Sequence, residues 1–506
     1  MAERETGRRI SKKELRNQSA KLKKKKILFA VGTILQLISV LLTLVIGYYI
    51  VRYKILPADR RMMALGALAI IQLFVLLIHL GGVKRMGLRI MQLVLSVILI
   101  ITMGAGSWYL YKGFSTLNRL GANTRKQITK MLIVVKQDSP LQVIDELAGK
   151  RTVAPMLADQ DNLEAFLGQI KEKKNVVLTP ENTPSYADGV QQVADAKADA
   201  AVLSEAYYHL IEAEKPETTA QLRILLEDQV TVEIPEARAI TEERLNKESF
   251  NVYISGIDTY GPIGTVSRSD VNIVMTVNPT AKKILLTTVP RDSYVPIADG
   301  GGNQMDKLTH AGIYGVQASK HTLEQLLGTQ IDYYARINFS SLIRMVDVLG
   351  GVTVENPQAF TTYDGRFHFP AGSITLSGEE ALGFSRERYN LPSGDGDRGK
   401  NQMRVIQGII KKASSPEILF NYTGILNSLS DSMETDMPTD QIINLANIQM
   451  SSGGGWTTET NALTGVGQNG LPSAAMPGYN LYMLVLDQGS VQEGQQKIKA
   501  LLNLVP

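Results

Sequence analysis

The stretch FNVYISGIDTYGPIGTVSRSDVNIVMTVNPTAKKILLTTVPRDSYVPI, residues 250–297, decides the fold class. Residues 250–255 alternate in polarity, and 271–277 and 283–289 are rich in β-branched side chains, so all three read as strands. Helical patterns follow over about 320–327, 340–349, 378–386 and 398–412. YNLYMLVLD (479–487) reads as a closing strand and VQEGQQKIKALL (491–502) as an amphipathic helix. Together they predict an α/β region with a sheet flanked by helices.

Upstream, strand-like runs at 131–136, 152–154, 175–178 and 200–203 alternate with helix-like runs at 140–147, 186–196 and 205–214. This pattern predicts a small α/β domain with a largely parallel sheet. DELAGKRTVA (145–154) and ADAKADAAVLS (194–204) look like half of a solute-binding fold, but no clustered acids, phosphate loop or nucleophile motif accompany them. A charged stretch, 235–248, separates this accessory region, 112–236, from the larger one, 237–506.

The first 111 residues have a different solvent. Residues 27–51, 62–83 and 90–111 are almost wholly apolar, each reaching the roughly 20 residues that span hydrocarbon. The 1–26 tail and the turn with Lys84, Arg85 and Arg89 carry 14 Lys or Arg between them, against four in the loop with Arg52, Lys54, Arg60 and Arg61. The positive-inside rule then predicts a multi-pass anchor in the cell membrane over 27–111, with the tail cytoplasmic and everything after Tyr111 outside. Trp108, Tyr109 and Tyr111 stand where an outer aromatic belt belongs. The basic tail, ending in four lysines beside an apolar run, reads as membrane-facing rather than nucleic-acid-binding.

The 506 residues contain no cysteine, which excludes disulfides, thiolate nucleophiles and Cys-based zinc sites, and the five histidines lack metal-ligand spacing. GVGQNG (465–470) has dinucleotide-fingerprint spacing without the flanking strand and helix, and reads as a loop.

Three clusters carry chemistry. Asp258 follows the first strand and Asp270 opens the next, so a glycine-rich connection can bring two carboxylates together, as Mg²⁺ prefers. Turn and strand-edge acids are the equal alternative. Arg291 and Asp292 follow a buried-looking strand, where α/β sheets face their ligand. In FSRERYNLPSGDGDRGKNQ (384–402), Arg386 and Arg388 are two apart and suit one side of an extended segment. Arg398 and Gln402 share a helix face, and Asp395 precedes that helix. Guanidiniums in this density suit phosphate oxygens.

These residues are also where the chain resembles a known family. GIDTYGPIGTVSRSDVNIVMTVNP, LLTTVPRDSYV, DKLTHAGIYG, MVDVLGGV and ALGFSRERYN…DGDRGKNQ, in this order over roughly 250–413, resemble the LytR-CpsA-Psr (LCP) family. The three-helix anchor and added domain look like its capsule-associated, CpsA/Wzg-like branch. The resemblance implies a mixed sheet flanked by helices, an apolar tunnel for a polyprenyl chain, and a pyrophosphate at its mouth. It implies a phosphotransferase that moves a glycopolymer, here capsular polysaccharide, from polyprenyl pyrophosphate to peptidoglycan, with other capsule-synthesis proteins as partners and no nucleic acid. A hydrolase acting on the same lipid and a non-enzymatic, lipid-binding regulator are the alternatives. Carried over, Asp258 and Asp270 match magnesium ligands, for Mg²⁺ or its substitute Mn²⁺. Arg268, Arg291, Arg386, Arg388, Arg398 and Gln402 match pyrophosphate contacts. Asp270, Arg386, Arg388, Asp395 and Arg398 form the implied catalytic set, with Asp395 near the reacting centre. Asn401 departs from the family, which often has arginine there.

Overall fold

The structure, a computed structural model, describes residues 12–54, 56–81, 85–122, 126–233, 249–257, 263–415, 433–452 and 455–504. They divide into two compact units, Met1–Ser115 with Ile442–Gly453, and Thr116–Gln441 with Gly454–Pro506.

The first unit is built on α1 (Lys12–Arg52), α2 (Ala58–Gly81) and α3 (Met86–Ala122), the last of which runs on past it. Lys23–Arg52, Asp59–Gly81 and Met86–Ser115 are each long and apolar enough to cross a membrane. Their burial is inverted relative to a water-soluble bundle. Leu37, Leu41, Leu44, Leu73, Leu77 and Ile101 are exposed, whereas Gln36, Ser39, Gln92 and Ser96 are buried. Lipid selects this, because apolar side chains lose nothing in hydrocarbon while polar groups must find partners inside the bundle. They do. Gln36 Nε2 donates to Gln72 Oε1 at 3.0 Å, Ser96 Oγ to Gln36 Oε1 at 3.3 Å, and Gln92 Nε2 to Ser96 Oγ at 3.0 Å, linking all three helices. Lys84 lies outside the described residues.

In the second unit, β1 (Lys126–Lys136), β2 (Thr152–Ala154), α4 (Gln160–Lys174), β3 (Glu181–Asn182), α5 (Tyr186–Ala194), β4 (Ala200–Ser204), α6 (Glu205–Glu214) and β5 (Leu222–Glu233) come first. Their sheet has the order β3-β2-β4-β1-β5. The expected parallel sheet is corrected here: β2 runs parallel to β3 and β4, but β1 is antiparallel to both β4 and β5. The sequence reading lacked β5, whose mixed polarity is that of an edge strand, and α4. It also placed a strand at 175–178, where the chain is irregular and the pairing instead falls at Glu181–Asn182. The 140–147 helix shortens to a 3₁₀ turn at Ile144–Leu147. The 235–248 stretch lies outside the described residues.

The larger sheet joins β6 (Phe250–Ile257), β7 (Ser269–Asn278), β8 (Lys283–Thr288), β9 (Tyr333–Asn338), β10 (Met433–Thr435) and β11 (Thr457–Ala462) in the order β10-β9-β6-β7-β8-β11. It is mixed, with β9–β6 and β8–β11 parallel and the remaining pairs antiparallel. One face carries Tyr253, Val274, Leu285 and Tyr334 into a core shared with Leu323 and Leu327 of α7 (Val316–Leu327) and Val491 and Ile498 of the C-terminal helix Gln488–Leu502. A separate cluster, including Val346, Phe384 and Val405, binds together α8 (Phe339–Val348), α9 (Gly378–Arg386) and α10 (Asp395–Ala413). Gly465–Pro472 is a strand paired with Asn480–Leu486, not the expected loop, because its backbone is paired by Val485, Leu484 and their neighbours.

The two sheets share a core. Val266, Ile313, Ala475, Met476 and Met483 from the larger region pack with Met131, Val190 and Leu210 of the smaller. Lys307 Nζ meets Glu214 Oε1 at 2.7 Å, and Val266 N–H donates to Ile128 O at 2.9 Å.

Candidate functional site

Register builds the floor of the site. Gly256 of β6 stands opposite Val271 of β7 and opposite Ile337 of β9. These three residues line a cavity of about 660 Å³. A Cβ on Gly256 would sit 2.6 Å from Val271 Cβ, so glycine is what keeps the floor open beside a β-branched neighbour. Phe339, Leu342 and Ile343 of α8 and Leu382 of α9 add an apolar wall.

The other part of the lining is cationic. Arg268, Arg291, Arg386, Arg388 and Arg398 all line the cavity, with Gln402 and Asp270. Arg268 and Asp270 flank Ser269, whose buried hydroxyl is 2.6 Å from Tyr253 Oη and donates to Asn272 Oδ1 at 2.9 Å. This network pins the start of β7. Arg291 follows β8 and donates from Nη1 to Asp270 Oδ2 at 2.6 Å, while Thr309 Oγ1 donates to Asp270 Oδ1 at 3.0 Å. Arg386 ends α9 with its guanidinium 4.2 Å from the ring centroid of Phe339, a cation–π contact that orients it along the wall. Glu387 then turns the chain out of the helix, and Arg388 follows. Arg398 and Gln402 lie one turn apart on α10, and both face the cavity.

Charge within the site is unbalanced toward cation. Burial pushes the Asp270 carboxyl up, but Arg291, Arg268 and Arg398 together outweigh it and hold it below the ordinary carboxylate value. Arg398 is shifted down, first by burial and then by Arg291, with Asp395 opposing. Its guanidinium therefore sits where a further anion is favoured. Arg291 Nε is buried without a hydrogen-bond acceptor, with Asp292 Oδ1 3.7 Å away. A buried guanidinium donor without an acceptor, in a lining rich in arginine, suits a multiply charged oxyanion.

The sequence-expected residues thus converge, with two exceptions. Asp395 is absent from the lining; its carboxylate is ion-paired to Arg398, one helical turn along. Asp258 lies outside the described residues. Asn401 is buried and ties α10 to α9 through Nδ2 to Phe384 O at 3.3 Å, while accepting from Arg404 Nη1 at 2.7 Å. Sequence reasoning missed Thr309, Phe339 and Glu387. Thr309 lay within the quoted DKLTHAGIYG motif, which was the available signal. Glu387 likewise lay within the quoted ALGFSRERYN motif, whereas Phe339 carried no signal, since a helix-start phenylalanine has ordinary core roles.

Among the described residues no three His, Asp or Glu side chains gather as a metal cage. Asp270 offers hard oxygen donors, Oδ2 accepting from Arg291 and Oδ1 from Thr309. A carboxylate is the donor type that Mg²⁺ accepts when phosphate oxygens and water complete its shell.

The model of the LytR_cpsA_psr family matches residues 207–500. A model described as DNA polymerase processivity factor matches residues 87–203, a span that begins within α3 and ends within β4. A polyisoprenyl-teichoic acid–peptidoglycan teichoic acid transferase TagU of Enterococcus faecalis is 38% identical over 261 residues, 51% of this chain and 81% of that protein. The Bacillus subtilis protein of the same name is 36% identical over 197 residues, 39% of this chain and 62% of its own length. This second match spans a little under two thirds of the relative. The crystal structure of Bacillus subtilis TagV aligns with TM-score 0.44 and 26% identity over 52% of this chain and 100% of that one.

Proposed function

As the chain belongs to the LytR-CpsA-Psr family, we propose that the cavity holds a polyprenyl diphosphate whose glycopolymer is transferred to peptidoglycan. The observation that carries this reading is the juxtaposition of six arginines, Arg366 among them, with an apolar wall inside one cavity. A polyprenyl diphosphate is an amphiphile of that shape, with a greasy chain joined to a small, highly charged head. The named relatives act on polyisoprenyl-linked teichoic acid and peptidoglycan, which supports the same substrate class. Capsular polysaccharide is the cargo we favour, from the resemblance of the three-helix anchor and added domain to the capsule-associated branch; teichoic acid is the alternative that the relatives' names bring.

In the proposed reaction a peptidoglycan hydroxyl attacks the phosphorus that bears the glycan. The anhydride bond to the second phosphorus breaks, and polyprenyl monophosphate leaves with the bridging oxygen. The glycan becomes linked to peptidoglycan as a phosphodiester, and the hydroxyl proton is released. Phosphoryl transfer of this kind depends mainly on positioning and on neutralising charge. Arg291 and Arg398 are placed to hold the diphosphate, and Arg386 and Arg388 to hold its outer oxygens, while Asp395 keeps the Arg398 guanidinium in place. Asp270 would hold Mg²⁺ or Mn²⁺ against the diphosphate, supplying charge neutralisation when bound. The Asp270 carboxyl, kept acidic by its arginines, is a poor proton acceptor. The Lys and Arg distribution supports a site outside the membrane with the basic tail inside.

The test is Arg386→Ala and Arg388→Ala in the full-length protein. Both should fold as the parent does, by thermal melting, yet lose attachment of glycopolymer to isolated peptidoglycan. Normal attachment by both variants would overturn the assignment. Release of phosphate-bearing polymer without cross-linked product would favour the hydrolase instead, and tight lipid binding without turnover the regulator.

A further inference from the structure

Two large aromatic side chains stand exposed at the cationic cavity. Tyr363 is 73% and Tyr389 65% exposed, both line the cavity, and their ring centroids are 4.8 Å apart at an interplanar angle of 44°.

The placement is built rather than incidental. The two tyrosines belong to segments 26 residues apart, and one buried carboxylate joins them. Glu387 is 5% exposed, accepts from Tyr363 N at 2.6 Å through Oε2, and accepts from Arg388 N at 3.0 Å and Asn390 N at 2.9 Å through Oε1. Asn390 Nδ2 adds a bond to Thr361 O at 3.0 Å. A second link runs from this pair to the diphosphate-binding residues. Arg388 Nη2 donates to Tyr389 Oη at 2.6 Å, and the Arg388 guanidinium lies 4.7 Å from the Tyr389 ring centroid. Asp364 and Arg366 line the cavity beside the rings and add hydrogen-bonding groups around them.

We infer that Tyr363 and Tyr389 form a stacking platform for a pyranose ring, the sugar attached directly to the diphosphate. The inference rests on the reading of the cavity given under Proposed function. A pyranose presents an apolar face of C–H groups to an aromatic ring and hydroxyls at its edge to polar neighbours, which is the chemistry this rim offers. With the glycan-bearing phosphate held by Arg388, the next group of the donor is that sugar, and the Tyr389 ring lies directly against the Arg388 guanidinium. The platform thereby reads the first sugar of the donor, and gives the site selectivity for a glycosylated lipid over the bare one.

The experiment compares two probes on full-length protein in detergent: a short-chain polyprenyl diphosphate, and the same lipid bearing one N-acetylhexosamine. Tyr363→Ala, which leaves the Arg388–Tyr389 contact in place, is expected to weaken the glycosylated probe roughly tenfold and to leave the bare probe unchanged. Tyr389→Phe keeps the ring and should retain the preference. Equal weakening of both probes by Tyr363→Ala overturns the inference, as does no change in either. Unchanged donor binding with a raised requirement for peptidoglycan would assign the platform to the acceptor and overturn it too. Failure of the parent protein to bind even the bare lipid would instead strike the diphosphate reading itself, and the platform with it.

Discussion

Arg291 Nη1 reaches Asp270 Oδ2 across 2.6 Å, joining residues 21 apart in the chain. β7 and β8 are antiparallel, with Ile273 opposite Thr288, so the start of one strand and the residues just beyond the other meet by register. The pair places an acid within a ring of cations, and several measurable consequences follow from that and from its supports.

Asp270→Asn should remove an acid-side dependence of stability. The folded carboxyl is held below its ordinary value by Arg291, Arg268 and Arg398, against the effect of burial. Such a group contributes stability that is complete above its unfolded pKa of about 4 and is lost as pH falls through the lower folded value. Chemical denaturation as a function of pH should therefore show a steeper acid limb in the parent than in the variant. Superimposable limbs would count against the ion pair. The same variant should also lower the affinity for Mg²⁺ in the presence of lipid diphosphate.

Gly312 acts on the site from outside it. A Cβ there would lie 2.5 Å from Ser267 O, 2.6 Å from Ser269 N and 3.0 Å from Arg268 C. These are backbone atoms within β7 and its approach, and they cannot rotate away. Gly312→Ala should cost about 1–3 kcal/mol in stability and shift Arg268, so that lipid-diphosphate binding weakens although the substitution is outside the cavity. Melting and binding measured on one preparation test both halves. A variant that melts like the parent and binds like it would show that the backbone yields freely.

The ion pair between the smaller and larger regions of the second unit should be strongly coupled. Lys307 and Glu214 have side chains only 9% and 24% exposed. Glu214→Gln leaves a buried ammonium without its charge partner and should destabilise by about 1–3 kcal/mol. The double variant Lys307→Met/Glu214→Gln should recover part of that loss. Additive effects in denaturation would mean that the pair carries no coupling.

Gln36 holds both remaining helices of the membrane-type bundle, accepting from Ser96 Oγ and donating to Gln72. Gln36→Leu is expected to weaken the bundle by about 1 kcal/mol, in the range of hydrogen bonds between helices in lipid. Unfolding of the protein in mixed micelles measures it. Non-additivity with Ser96→Ala would confirm that the two share one network, and strict additivity would separate them.

Much of this was legible in the chain because its causes are local. Apolar runs of membrane length, period-two alternation in 250–255 and β-branched runs at 271–277 and 283–289 each report a solvent or a backbone preference that acts within a few residues. The arginines were legible because density and motif agreed. What could not be read was partnership. β5 is a strand because β1 lies beside it, and 465–472 is a strand because 480–486 does, so neither shows in its own composition. Asp395, near the reacting centre by resemblance, stands as the ion-pair partner of Arg398.

Sequence alone determined the three apolar helices, the α/β class and the list of arginines, since those follow from hydrophobic periodicity and side-chain chemistry within short windows. Only the tertiary structure decided which residues face one another: that Gly256, Val271 and Ile337 make a floor, that Glu387 fixes Tyr363 beside Tyr389, and that the smaller sheet shares its core with the larger. Those relations depend on strand register and on packing between segments tens of residues apart, and no single window of the chain contains both partners.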